Sequence, residues 1–141
     1  MSHFRALDMG KILYQLFVNG VPKAQPRPRM TARGHVYNPG SADGWKEEIK
    51  AAFRPVLKPT IEGPVRLIVK FSMPMPKGME VKKGFPMPHT KKPDKDNLEK
   101  AVMDALTAAK VWKDDAQVFE SLTGKYYTGE KIGAKIIVES C

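Results

Sequence analysis

The stretch KKPDKDNLEKAVMDALTAAKVWKDDAQVFE, residues 91–120, decides the reading of this chain. From about residue 97 to residue 110, Leu98, Ala101, Val102, Ala105, Leu106 and Ala109 recur at i, i+3, i+4 and i+7. That spacing predicts an amphipathic helix whose apolar stripe lies on a sheet. The same stretch carries seven of the 15 carboxylates in a chain whose Lys and Arg total 24 and whose formal net charge is +9. A strongly basic surface suits a polyanion, so the acidic cluster inside it is the feature to explain.

Working outward, residues 12–18 (ILYQLFV) form a β-branched and aromatic run ended by Asn19-Gly20, a buried strand entering a turn. In VPKAQPRPRMTARGH, residues 21–35, prolines at 22, 26 and 28 exclude a central strand or a helix and leave an extended path. Lys23, Arg27, Arg29 and Arg33 project from it, making residues 20–36 a basic loop. Residues 45–53 read as an amphipathic helix stopped by Pro55, and residues 65–71 alternate as a strand. Five of the 12 prolines fall in residues 73–93, a long Met- and Lys-rich loop of the kind that tends to be functional. Residues 117–127 and 133–139 read as two strands joined near Thr128-Gly129 as a hairpin. The expected architecture is α+β, a mixed sheet of four or five strands packed with two main helices.

At 141 residues the chain is expected to be one domain, 1–141. Its one cysteine, Cys141, permits neither an intrachain disulfide nor a Cys-based zinc site. The apolar run at residues 11–18 is too short to span a bilayer and lacks the features of a signal peptide, so the expectation is a soluble, cytoplasmic protein without membrane contact.

Pro93 biases Lys92 toward extended geometry. In an extended Asp94-Lys95-Asp96, alternate side chains share a face, so both carboxylates aim one way. Mg²⁺ takes such hard oxygens, commonly one or two protein carboxylates completed by water and phosphate. A plainer reading competes: Asp96-x-x-Glu99 before an apolar helix also describes a cap, with Asp96 accepting helix N–H groups. Lys100 lies four residues after Asp96 and four before Asp104 on one helical face, where it is either an ordinary ion pair or a cation that neutralises developing phosphate charge. Of Asp114 and Asp115, entering the next strand, only one can easily point at such a site, and spacing leaves the choice open.

KPDKDNLEKAVMDAL followed by VWKDDAQV resembles the RusA-type crossover junction endodeoxyribonucleases, and the likeness extends in the same order to the N-terminal strand and GVPKAQPRPR. The resemblance implies a homodimer that binds a four-way (Holliday) DNA junction and nicks two strands symmetrically with Mg²⁺ or Mn²⁺, in DNA recombination and repair. It implies that Asp94, Asp96 and Asp115 are the metal ligands and that Lys100 is the motif lysine beside them. Lys110 departs from the pattern, since relatives often carry Gly at this helix end. With that role, Lys23, Arg27, Arg29, Lys91 and Lys92 are expected to contact DNA backbone, and the protein to associate with the nucleoid when bound. The dimer surface is expected either near residues 71–85 or on the helix starting at Trp45. His89 is read as a loop or phosphate contact. Two other readings stand beside this one: a non-catalytic DNA-binding protein, and a metal-dependent phosphohydrolase acting on nucleotides.

Overall fold

The computed structural model describes residues 10–26, 29–30, 34, 36–37, 42–79 and 87–141. The elements run β1 (Lys11–Asn19), β2 (Arg29–Met30), β3 (Val36–Tyr37), α1 (Asp43–Phe53), β4 (Val65–Pro74), β5 (Met87–Pro88), α2 (Lys95–Ala108), β6 (Val118–Thr128) and β7 (Gly133–Ser140). Among the described residues, five strands form a mixed sheet in the order β1-β7-β4-β6-β5. With α1 and α2 this is the expected α+β architecture. No helix among the described residues is long and apolar enough to cross a membrane.

The core lies on one side of the sheet. In β4, Val65, Leu67, Val69, Phe71 and Met73 are buried while their alternate neighbours are not, the period-2 signature of a strand with one covered face. Ala134, Ile136 and Val138 of β7 extend that face. Leu98, Ala101, Val102, Ala105 and Leu106 of α2 lie against it with Trp45, Ile49 and Phe53 of α1, in one hydrophobic cluster. Each large side chain so buried contributes roughly 1.5–3 kcal/mol, which makes this stripe-on-sheet contact the main source of stability.

The expected hairpin between the last two strands does not form. β6 pairs in parallel with β4, and β7 inserts on the other side of β4, antiparallel to both β4 and β1. The turn after Thr128 therefore carries the chain past an intervening strand. The apolar run in β7 is why: Ala134, Ile136 and Val138 are buried and Ile137 half-buried, which suits an interior position better than an edge. Where β7 starts beside β1, Gly133 has φ +159, and a Cβ there would stand 2.1 Å from the Val18 carbonyl oxygen. Only glycine admits that approach.

Two further expectations are revised. The end of the long proline-rich loop is not irregular, because Met87 and Pro88 pair with Tyr127 and Tyr126 as the edge strand β5. Within the basic loop, Arg29 and Met30 pair with Tyr37 and Val36. Trp45, Phe53 and Phe71, considered for a dimer surface, are buried in their own core, and Phe85 lies outside the described residues.

Candidate active site

The motif residues collect around both ends of α2. Asp94 is its N-cap, with φ −69 and ψ 146, and its side chain makes no capping bond. Lys95 and Asp96 are already helical, so the alternation that would aim Asp94 and Asp96 the same way does not hold beyond Asp94. Asp96 is not the cap either. Among the described residues its Oδ1 accepts only from the neighbouring Asn97 N–H, at 3.0 Å. Both aspartates are exposed and, among the described residues, make no ion pair at the positive end of the helix, where carboxylate and phosphate are favoured.

Two contacts hold neighbouring chain against this end. Lys125 Nζ donates to the Lys91 and Pro93 carbonyls at 2.6 and 2.7 Å, which fixes the turn leading into Asp94. Gln25 N–H donates to the Asn97 carbonyl at 2.9 Å and ties the start of the basic segment to the first turn of α2. Lys23 and Lys92, far apart in sequence, thereby line one pocket. Lys91 and Lys92 are both exposed. Arg27 lies outside the described residues, and of Arg29 only the backbone is described.

Midway along α2, one turn past Asp96, Lys100 Nζ donates to Asp104 Oδ1 at 3.0 Å and to Asp115 Oδ2 at 3.5 Å. The Asp104 hydrogen bond, with the negative charges of Asp104 and Asp115, raises the Lys100 pKa above the ordinary lysine value despite partial burial. Lys100 is therefore an ammonium at neutral pH, a fixed positive charge and not a base. Asp115 is anchored from behind: Thr107 Oγ1 donates to its Oδ1, and the buried Trp112 Nε1 donates to Thr107 Oγ1 at 2.6 Å. Asp114 is differently employed. It caps a 3₁₀ turn over Asp115–Gln117, accepting from Ala116 N–H at 2.8 Å, while Gln117 accepts from the Asp114 N–H. Neither aspartate has yet entered β6, and it is this turn, not strand alternation, that separates them.

The helix end that departs from the family pattern has a physical signature. Lys110 has φ 68, the left-handed geometry that Gly favours. Lys110 N–H bonds the Thr107 carbonyl and Val111 N–H bonds the Leu106 carbonyl, the paired bonds of a Schellman motif. This reversal returns the chain so that Trp112 reaches Thr107.

The sequence profile of the endodeoxyribonuclease RusA family matches residues 19–139. The chain belongs to the RusA family. Its similarity to the uncharacterized protein YqaN of Bacillus subtilis (strain 168) is 36% identity over 127 residues, covering 80% of this chain and 87% of that protein. A local match of 56% identity over 34 residues links it to the crossover junction endodeoxyribonuclease RusA of Escherichia coli (strain K12), 24% of this chain and 28% of that one.

For this RusA-family chain, the donor chemistry suits a hard divalent cation. Asp94 makes no capping bond and, among the described residues, no ion pair, and Asp115 is held in place by Thr107. Among the described residues no three His, Cys, Asp or Glu side chains gather into a metal cluster, so Asp94, Asp96 and Asp115 are not brought together as one three-ligand set. A cation held by one or two of them would take its other ligands from water and phosphate, the usual habit of Mg²⁺. Sequence reasoning gave Asp104 only an ion-pair role and missed Thr107, Trp112 and Gln25. Asp104 was reachable from its i+4 spacing, whereas the others depend on the turn after α2 and on a contact between distant segments.

Proposed function

We propose that the protein resolves four-way DNA junctions by hydrolysing phosphodiesters in two strands, in recombination and repair. The observation that carries this reading is the Lys100 ammonium held between Asp104 and Asp115 on a helix whose N-terminus, one turn away, presents Asp94 and Asp96 beside a lysine-lined pocket. One or two of Asp94, Asp96 and Asp115 would hold Mg²⁺, or Mn²⁺ in its place, and the bound ion would supply charge neutralisation and a more acidic water. Lys100 offers its fixed positive charge to the phosphate as negative charge develops on it. Lys23, Lys91 and Lys92 bind the strand through its phosphates, which positions the junction and makes affinity salt-dependent. Thr107 and Trp112 keep Asp115 from rotating away.

Two-fold symmetry of the junction is matched by a homodimer. The sheet face opposite the helices offers a surface for it. Ile137, Ile68 and Leu122 line up across β7, β4 and β6, with Leu122 66% exposed. One side of that row carries Glu139, Arg66 and Glu120, and the other carries Lys135 and Lys70. A two-fold axis along the apolar row sets the Glu139-Arg66-Glu120 row of one copy, net negative although both carboxylates pair with Arg66, over the lysine row of the other.

The test is cleavage of a labelled four-way junction, with linear duplex as control, by wild type, Asp94→Asn and Asp115→Asn, in Mg²⁺ and in EDTA. Paired symmetric nicks that need the ion and both aspartates, with junction binding retained by the variants, support the reading. Tight junction binding by folded wild type with no nicking in Mg²⁺ or Mn²⁺ refutes it in favour of a DNA-binding module.

A further inference from the structure

We infer that the pocket beside Asp94 receives a single nucleobase of the DNA, displaced from the stack next to the branch point. The inference rests on the junction reading above and adds to it a subsite and a ligand class. The pocket has a volume of about 390 Å³ and opens between the start of the basic segment, the end of β4 and the turn ahead of α2. Pro22, Pro74 and Pro93 line its wall, with Ala24 and Met73. Proline brings no N–H, so these parts of the wall are apolar and suit a π-face. The polar features are few and placed apart. Lys23 and Lys92 line the pocket, are exposed, and pair with no carboxylate among the described residues. His89 also lines it. That imidazole is buried, rests on Tyr127 with ring centroids 4.6 Å apart, and leaves Nδ1 without a hydrogen-bond partner among the described residues.

His89 Nδ1 is closed off from the pocket, so that atom offers no hydrogen bond to what enters, and recognition falls to the apolar wall and the two lysines. An apolar slot with two ammonium groups is the complement of one nucleotide, with a flat aromatic base for the walls and a phosphate for the lysines. An acidic peptide would use the lysines and leave the slot empty. Position completes the argument: Pro93, in the wall, immediately precedes Asp94, so a strand anchored here by one base runs its phosphate toward the candidate active site. Unpairing is least costly where stacking is already interrupted, as at a branch point. Sequence preference at the nick would then reside in this pocket.

The experiment places 2-aminopurine singly at each nucleotide around the branch point of a four-way junction and titrates the full-length protein in EDTA, following fluorescence and anisotropy together. One position is expected to change in fluorescence as its base leaves the stack. Ala24→Phe, which fills the slot, should abolish that change and weaken junction affinity about tenfold, the scale of one lost base-stacking contact. Val21→Trp is the second variant. Val21 is an exposed residue of the same pocket, so its replacement does not disturb the core. Preferential junction binding with no responsive position, or a response that survives both variants, overturns the pocket and leaves the junction reading standing. If the junction is bound no better than duplex, the junction reading fails. The same titration with a single-stranded oligonucleotide then decides the pocket, which stands only if both variants abolish the signal.

Discussion

Replacing Thr107 by Val preserves the shape of the side chain and removes only its hydroxyl, which links the core to the candidate site. Trp112 is fully buried, and its indole N–H donates to Thr107 Oγ1 at 2.6 Å, so the Val variant leaves that donor unpaired away from water. An unsatisfied buried donor costs about 1–3 kcal/mol. Asp115 loses its bond from Thr107 as well, but its side chain is 32% exposed and can rehydrate, so this loss adds little to the unfolding free energy. The expected destabilisation is about 2 kcal/mol, measured by urea unfolding with an unchanged m value. Thr107→Ser keeps the hydroxyl and sheds one methyl, and should lose only about 1 kcal/mol. In a Trp112→Phe background the Val substitution should lose most of its effect, a coupling of about 1–2 kcal/mol. Nuclease rate should fall in Thr107→Val and recover in Thr107→Ser, because what the hydroxyl contributes there is the orientation of Asp115. A Val variant within about 0.5 kcal/mol of wild type, or a Ser variant no better than Val, would refute the relay from Trp112 to Asp115.

Lys110→Gly should stabilise the protein by about 0.5–1 kcal/mol in thermal unfolding, since φ 68 strains a side-chain-bearing residue by somewhat more than the unfolded-state entropy that glycine adds. An unchanged or lower Tm would mean that the Schellman turn is not strained there. Burial, then the nearby Lys125 charge, pushes the His89 pKa below its ordinary value. Between that lowered value and about 6.5 the unfolded chain binds more protons than the folded one, so stability falls as pH drops through this window and is recovered above it. In His89→Leu that part of the acid sensitivity should vanish when urea midpoints at pH 7.5 and 5.5 are compared; equal slopes in both proteins would contradict it. Leu122→Glu on the open sheet face should leave folding intact and convert a dimer to a monomer in analytical ultracentrifugation, with paired nicks becoming uncoupled. A dimer unaffected by the substitution places the interface elsewhere.

The local elements were legible because their signals are local. The apolar spacing of α2 requires only neighbours within two turns, and the alternation in β4 requires only the strand itself. The chemistry-bearing residue types of the site were legible for the same reason: carboxylates and a lysine at fixed spacing in a basic chain, which pointed to the family before any geometry was available. Strand partnership could not be read this way. Two adjacent strands with a turn between them look like a hairpin, and nothing within residues 117–139 states that β4 lies between them; that arrangement follows from burying Ile136 and Val138 among strands contributed from far away in the chain. The two neighbouring aspartates illustrate the same division. Sequence spacing left Asp114 and Asp115 equivalent, and the 3₁₀ turn gave one to a backbone cap and turned the other toward Lys100. Sequence alone thus determined which groups were available and how the chain is locally shaped, because both depend on near neighbours. Which of those groups come together, as Lys23 and Lys92 come to line one pocket and Trp112 meets Thr107, was decided only when distant segments shared one core, since that placement depends on the way the whole chain buries its apolar surface.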